Sequence, residues 1–188
     1  IESLLDYYER VRNTATGILP AANPATSGQG NIAWPESQLS LSIDLWDAML
    51  KVPQVLAAKM RATAERNDKA FLTLPIEPGN PSKGFILSAD FSPTKAPTTF
   101  SYCPTWASGY GEMTNAGAAM VCYERYLQTK SEPFRQMVLD TAGLYRNAPP
   151  DTKIELFPVV FSDVINLMIA DHRLTGNAES LAWADTLA

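Results

Sequence analysis

The most constraining feature of this 188-residue chain is an alternation of tight turns and long loops between segments with a helical pattern. The clearest tight turn lies near the end, where one apolar segment stops at Gly176 and the next begins at Asn177. Glycine commonly ends a helix and asparagine commonly starts one. Tight turns join neighbouring helices into antiparallel hairpins, so the long loops gather at the other end of those hairpins. The sequence therefore predicts a mainly α fold in which one end has room for a site.

Apolar residues at spacings of three and four predict seven helices, or three and a half hairpins. The second and sixth helices are apolar nearly all round, and the fourth begins with small residues, so these three are expected to be inner helices. Ser37, Thr114 and Ser131 are the expected residues at helix starts. The predicted ranges are 2–14, 37–50, 53–67, 114–128, 132–146, 159–174 and 177–188.

The segment 69–113 interrupts this helical pattern. It is rich in Pro and Gly, and two runs within it, 84–91 and 98–103, are rich in aromatic and β-branched residues. Two such runs separated by a short polar segment predict a β-hairpin. We therefore expect a single domain over 1–188 with a β-containing insertion at 69–113, and long structured insertions are often functional.

Composition narrows the possible partners and cofactors. The net charge is −5 without a basic cluster, which disfavours nucleic acid, and no apolar run approaches the roughly 20 residues of a membrane span. One histidine, His172, and no paired-cysteine motif indicate neither a metal site nor a cofactor. Cys103 and Cys122 are expected to be buried thiols rather than a disulfide. Because Ile1 already lies in a helix, we expect the chain to be a piece of a longer or processed protein.

The succession of inner and outer helices, with Leu174-Thr-Gly-Asn-Ala-Glu-Ser-Leu-Ala-Trp-Ala at a tight turn, resembles the (α/α) toroid superfamily of glycoside hydrolases and polysaccharide lyases. Tetratricopeptide-like arrays use similar turns. The resemblance implies a ring of about six hairpins, so this chain would form an incomplete toroid that a second chain or a missing segment completes. It also implies a substrate cleft where the inner helices begin.

Aromatic and polar residues at that end are candidates for binding a carbohydrate. Sugar rings stack on aromatic side chains, and their hydroxyls need polar neighbours. The alternative for each aromatic residue is that it anchors a long loop. The candidate substrate-binding residues are Trp34, Tyr102, Trp106, Asn115 and Asp163.

Two carboxylates close to the starts of inner helices are candidates for catalysis. Glu36 and Glu112 could act as acid and base in glycoside hydrolysis, which needs them roughly 5–10 Å apart. The alternative is a favourable interaction with the helix N-termini. Tyr110, between two glycines, is the corresponding candidate for a lyase, and Asp163 has the same two interpretations as the glutamates.

These observations favour a carbohydrate-active enzyme, hydrolase or lyase, acting on an oligo- or polysaccharide. The alternative function is a non-catalytic helical-repeat module that binds a protein or a glycan. A secreted or periplasmic location is expected only if the carbohydrate hypothesis holds.

Overall fold

The structure is a computed structural model that describes residues 2–108, 112–150, 156 and 158–188, with Glu2 contributing only its backbone. Over these residues the chain is mainly helical with a small three-stranded antiparallel sheet, which confirms the predicted fold class. No helix in the described ranges is long and apolar enough to cross a bilayer. The helices are α1 (Glu2–Val11), α2 (Pro35–Met49), α3 (Gln54–Leu72), α4 (Asn115–Thr129), α5 (Glu132–Arg146), α6 (Pro158–Thr175) and α7 (Ala178–Leu187). The strands are β1 (Ile32–Ala33), β2 (Ile86–Asp90) and β3 (Phe100–Tyr102).

The chain divides into two compact units. The N-terminal unit comprises Ile1–Pro75 and Ile86–Ser101, and the C-terminal unit comprises Ile76–Phe85 and Tyr102–Ala188. Within the first, α2 packs along α3 and α1 packs on α3. Within the second, α4 pairs with α5, and α6 pairs with α7. The predicted hairpins at the turns 50–53, 130–131 and 176–177 are therefore confirmed.

The core of the N-terminal unit lies between its three helices. It is built from apolar residues that recur at helical spacing on α1, α2 and α3, because each helix buries one face. These residues are Leu5, Leu45, Met49, Met60 and Ala64.

Three predicted helix limits in this unit are wrong. The second helix begins at Pro35 rather than Ser37, because proline is well tolerated in the first turn and Trp34 takes the extended cap conformation. The third helix continues to Leu72, past the predicted end at residue 67. The first helix ends at Val11, because the Asn13 side chain takes the backbone N–H groups of the next residues and closes a turn.

The predicted β-hairpin is confirmed, and it gains a strand that the sequence analysis did not identify. β2 and β3 fall inside the two predicted runs and are neighbours in the sheet. The added strand, β1, pairs antiparallel with β2, with Ile32 opposite Asp90 and Ala33 opposite Ala89. β1 leads directly into Trp34 and α2, so the sheet fixes the start of that helix.

The turns of the C-terminal unit use the residues that the sequence indicated. The Thr114 hydroxyl accepts the Gly117 N–H at the start of α4, and the Asn177 side chain accepts the Glu179 N–H at the start of α7. Gly176 has φ +76°, a conformation that glycine adopts without strain. Cys103 and Cys122 are both buried and unbridged, which confirms the prediction of two thiols.

A buried ion pair ties α7 to α5 and α6. Asp171 of α6 is only 2% exposed, and its Oδ2 lies 2.5 Å from Arg146 Nη1 on α5. The same oxygen accepts a 2.5 Å hydrogen bond from Ser180 Oγ of α7. Because one oxygen accepts from two helices, the carboxylate fixes the position of the last hairpin.

We expect Asp171→Ala to lower the free energy of unfolding by about 2–3 kcal/mol, because it leaves the Arg146 guanidinium without its buried counter-charge. Urea unfolding followed by circular dichroism measures this loss. Asp185→Ala, which removes an exposed carboxylate from α7, is the matched control and should change stability by less than about 0.5 kcal/mol. Equal losses in the two variants would contradict a structural role for the ion pair.

Candidate functional site

A cavity in the N-terminal unit has aromatic walls. Its volume is about 270 Å³, and it lies between α1, the segment 19–23 and the start of α2. We call it the Trp34 cavity, because Trp34 faces it together with Tyr7 and Tyr8. Its other lining residues are Val11, Leu19, Pro20, Ala21, Ala22, Asn23, Ser37, Gln38 and Leu41.

Trp34 is held at the junction of β1 and α2. The residue before it, Ala33, is fully buried in a cluster with Ile18 and Phe91, and the residue after it, Pro35, is also buried. Its own backbone is extended, with φ −116° and ψ 93°. Anchored neighbours on both sides leave the indole 40% exposed at a defined position, so its face is available to a ligand.

The two tyrosines of the cavity, Tyr7 and Tyr8, are not among the binding residues predicted from the sequence. Their ring centroids lie 6.1 Å apart at an interplanar angle of 54°. Both side chains are half-buried. Adjacent positions on a helix point about 100° apart, so two consecutive tyrosines rarely share one core face. That adjacency is the signal that could have identified them.

Gln38 forms the polar floor of the Trp34 cavity. It is 5% exposed, and its Oε1 accepts the Leu19 N–H at 2.9 Å. Its Nε2 donates to Gly17 O at 3.2 Å and to Asn67 Oδ1 at 3.3 Å. These hydrogen bonds use both the oxygen and the nitrogen of the Gln38 side-chain amide and hold Gly17 and Leu19 in place. Gln38 therefore shapes the cavity and does not offer a free group to a ligand.

Glu36, a predicted catalytic residue, lies in the first turn of α2. Its Oε1 accepts a 2.8 Å hydrogen bond from Ser40 Oγ, and the carboxylate is half-buried at a helix N-terminus. Both features account for the position of Glu36 without any substrate. Trp34 and Ser37, which are close to Glu36 in the sequence, both line the Trp34 cavity.

Asp163 occupies a confined position in the C-terminal unit. A methyl group added to Gly117 would lie 3.1 Å from Asp163 Oδ2 and 2.7 Å from Met113 Sδ, so the bare backbone of glycine admits the carboxylate beside the first turn of α4. Burial raises the pKa of Asp163. A general acid needs a raised pKa so that it keeps its proton near neutral pH, and a half-buried carboxyl can provide this.

Trp106 contacts the C-terminal part of α5 and the start of α6. Its indole N–H donates to Ala148 O at 3.0 Å, and its ring packs edge-on against Tyr145 with centroids 5.2 Å apart. The Phe161 ring lies 5.9 Å away. These contacts fit a loop anchor, the alternative that the sequence analysis left open for each aromatic residue.

Tyr145, which was not selected from the sequence, organises the surroundings of Trp106. Its hydroxyl accepts the Ala116 N–H at 3.1 Å and donates to Thr105 O. Burial, together with the nearby Asp163, raises its pKa well above the ordinary value for tyrosine. The phenol therefore stays neutral and serves as a fixed link between the α4 N-terminus and the loop.

Asn115 is fully buried at the start of α4. Its Oδ1 accepts the Phe85 N–H at 2.8 Å. A Cβ atom on Gly84 would overlap this carboxamide, so the chain passes Asn115 at the closest possible approach. This geometry gives Asn115 a structural role, and its predicted contact with substrate stays a prediction.

The two predicted catalytic glutamates belong to different units. Glu112 is exposed in the C-terminal unit and Glu36 belongs to the N-terminal unit, so their action as an acid and base pair stays a prediction. Tyr110 lies outside the described residues. Tyr102 is half-buried at the end of β3. Trp106, Asn115 and Asp163 gather around the first turn of α4 and Tyr145.

Within the described part of the chain, no three His, Cys, Asp or Glu side chains converge in a way that could hold a metal ion. Comparison with models of known families, with curated proteins and with solved structures gives no match to this chain.

The raised pKa of Asp163 predicts a pH-dependent effect of Asp163→Asn. A carboxyl whose pKa is higher in the folded than in the unfolded chain destabilises the fold once it ionises. The penalty is absent below the unfolded pKa of about 3.9 and fully present above the folded one. We expect Asp163→Asn to raise stability at about pH 7, by less than about 1 kcal/mol because the group is partly solvated, and to have no effect at about pH 3.5.

Thermal melts of the variant and the parent at both pH values measure this difference. Asp185→Asn, a change at an exposed carboxylate of α7, is the control and should show no such pH dependence. An equal shift at both pH values would mean that packing, and not ionisation of Asp163, determines the effect.

Proposed function

We propose that this chain binds a carbohydrate through the Trp34 cavity. The observation that carries the proposal is the arrangement of one exposed indole and two half-buried tyrosine rings around a concave space of about 270 Å³. Apolar sugar faces stack on such rings, and phenolic hydroxyls at the margin can bond the equatorial hydroxyls of a sugar. The volume is close to the lower end of small-molecule sites and suits one or two sugar rings.

The polar groups of the cavity support the same proposal. Asn23 and Ser37 lie on its wall, and the Ser37 hydroxyl is only loosely bonded, at 3.4 Å from Glu36 Oε2. Polar groups near an aromatic platform supply the orientation that a flat apolar surface lacks. The toroid resemblance, which implies a carbohydrate cleft where inner helices begin, also supports the proposal because Trp34 directly precedes α2. A secreted or periplasmic location accompanies this function.

A carbohydrate-active enzyme is the second candidate, and Asp163 is the observation that favours it. Its carboxyl is half-buried beside the first turn of α4, and it has a raised pKa. The Trp106 and Phe161 rings pack together in the same unit. A hydrolase needs one carboxyl that keeps its proton until the leaving group departs, and Asp163 is the described carboxyl that best fits this role.

We expect Trp34→Ala to weaken binding of a neutral oligosaccharide at least tenfold, because loss of a stacked indole removes more than about 1.4 kcal/mol. Isothermal titration against a panel of neutral hexasaccharides measures the affinity. Trp34→Phe keeps an aromatic face and should retain most of it. Leu50→Ala, at a site 78% exposed and outside the cavity, is the surface control. Failure of every oligosaccharide to bind the parent chain would overturn the proposal.

The enzyme hypothesis has a separate test. We expect Asp163→Asn to reduce cleavage of a bound polysaccharide at least a hundredfold while leaving its affinity within about twofold, since a general acid contributes to rate rather than to binding. Reducing-end release and absorbance of unsaturated products distinguish hydrolase from lyase. Glu36→Gln and Glu112→Gln test the two predicted glutamates in the same assay. Tight binding without cleavage by the parent chain would leave the binding function and exclude the enzyme.

A further inference from the structure

A second pocket of the N-terminal unit is lined by positive charge. It lies between the end of α1, the turn 13–17 and α3, and its volume is about 420 Å³. We call it the Arg12 pocket. Its charged lining residues are Glu9, Arg12, Arg66 and Lys69.

Three cations share this pocket with one carboxylate. Glu9 Oε2 lies 3.0 Å from Arg66 Nε, and Glu9 Oε1 lies 3.2 Å from Arg12 Nη2. The Thr63 hydroxyl also donates to Oε1, at 3.3 Å. Both oxygens of Glu9 are therefore occupied, and its single charge leaves an excess of positive charge in a chain whose net charge is −5.

Arg12 is the buried cation of the pocket. Its side chain is 8% exposed, and Nη1 donates to Gly17 O at 2.6 Å. Its Nε is buried and has no hydrogen-bond partner among the described residues. Burial lowers the pKa of Arg12, and the hydrogen bond and charge of Glu9 offset this effect only in part. An additional negative charge close to this guanidinium would therefore stabilise its charged form.

Arg66 and Lys69 are the accessible donors. The Arg66 side chain is 49% exposed and pairs with Glu9 through Nε, which leaves its terminal N–H groups toward solvent. Lys69, one position beyond Asp68 on α3, is exposed, and no carboxylate of the described residues pairs with it. Guanidinium and ammonium groups side by side bind oxyanions through charge-assisted hydrogen bonds.

We propose that the Arg12 pocket binds an oxyanion, a phosphate, sulfate or carboxylate group, through Arg66 and Lys69 above the buried charge of Arg12. The anion supplies the negative charge that Glu9 does not provide. This site is separate from the Trp34 cavity, and the proposal does not depend on carbohydrate binding. The anion can be a free inorganic ion or the acidic group of a larger ligand.

Titration calorimetry and thermal melts test the site on the intact chain at low ionic strength. The probes are inorganic phosphate, sulfate and a digalacturonate, each compared with chloride at matched ionic strength, because surface charges respond to salt in general. We expect at least one oxyanion to bind and to raise the melting temperature, and the double variant Arg66→Gln/Lys69→Gln to weaken that binding at least tenfold. Both side chains are exposed, so the variant should fold.

Lys51→Gln, which removes an exposed cation in the α2–α3 turn outside the pocket, should leave binding unchanged. Binding of phosphate and sulfate identifies a free anion as the ligand, and binding of digalacturonate alone identifies an acidic sugar. Stabilisation equal to that in chloride, or an equal loss in the Lys51 variant, would overturn the proposal. Trp34→Ala leaves this oxyanion site intact, so the two proposals fail independently.

Discussion

Buried polar side chains in or next to the helices hold the long loops, and the rest of the structure depends on them. A loop that packs against a core must satisfy its backbone N–H and C=O groups without water. In the N-terminal unit, Asn13 donates to Ser92 O and Lys95 O at 2.5 and 2.7 Å. In the C-terminal unit, Asn115 accepts from Phe85, and the Tyr145 hydroxyl bonds two separate segments. Each of these hydrogen bonds satisfies a backbone group of a loop and fixes the position at which that loop begins.

The same constraint explains why the candidate residues differ in what they can do. Asn115 Oδ1 and Trp106 Nε1 are engaged in holding segments of the chain. Trp34 is different, because β1 and Pro35 fix its backbone while no described hydrogen bond engages its indole. An aromatic ring that is positioned by its neighbours and remains exposed meets the requirement for a preorganised binding surface.

The helical hairpins could be predicted because their signals are local. Apolar spacing, Thr114 as a cap and Gly176 followed by Asn177 all act within one turn of chain. β1 could not be predicted, since two residues carry no alternation and the strand exists only through its pairing with β2. The third helix was predicted to end at residue 67, whereas Ala70 and Phe71 are buried and α3 continues to Leu72.

The candidate sites show the same limit. Trp34 could be selected from the sequence because it precedes a helix beside a proline. The tyrosines of α1 and the cations Arg12, Arg66 and Lys69 could not be grouped, since residues 12 and 66 meet only after α1 packs on α3. Non-local contacts of this kind have no periodic signature, and net charge conceals them because it averages over the whole chain.

Gly17 links the two pockets of the N-terminal unit. Its carbonyl accepts from Arg12 Nη1 at 2.6 Å, below the charged pocket, and from Gln38 Nε2 at 3.2 Å, below the aromatic cavity. Its φ of +82° favours glycine, and an added Cβ would lie 3.4 Å from Ala70 Cβ. A substitution at Gly17 would therefore disturb both supports together. Trp34, Arg66 and Lys69 take no part in these two hydrogen bonds, so a substitution at either pocket leaves the hydrogen bond beneath the other pocket in place.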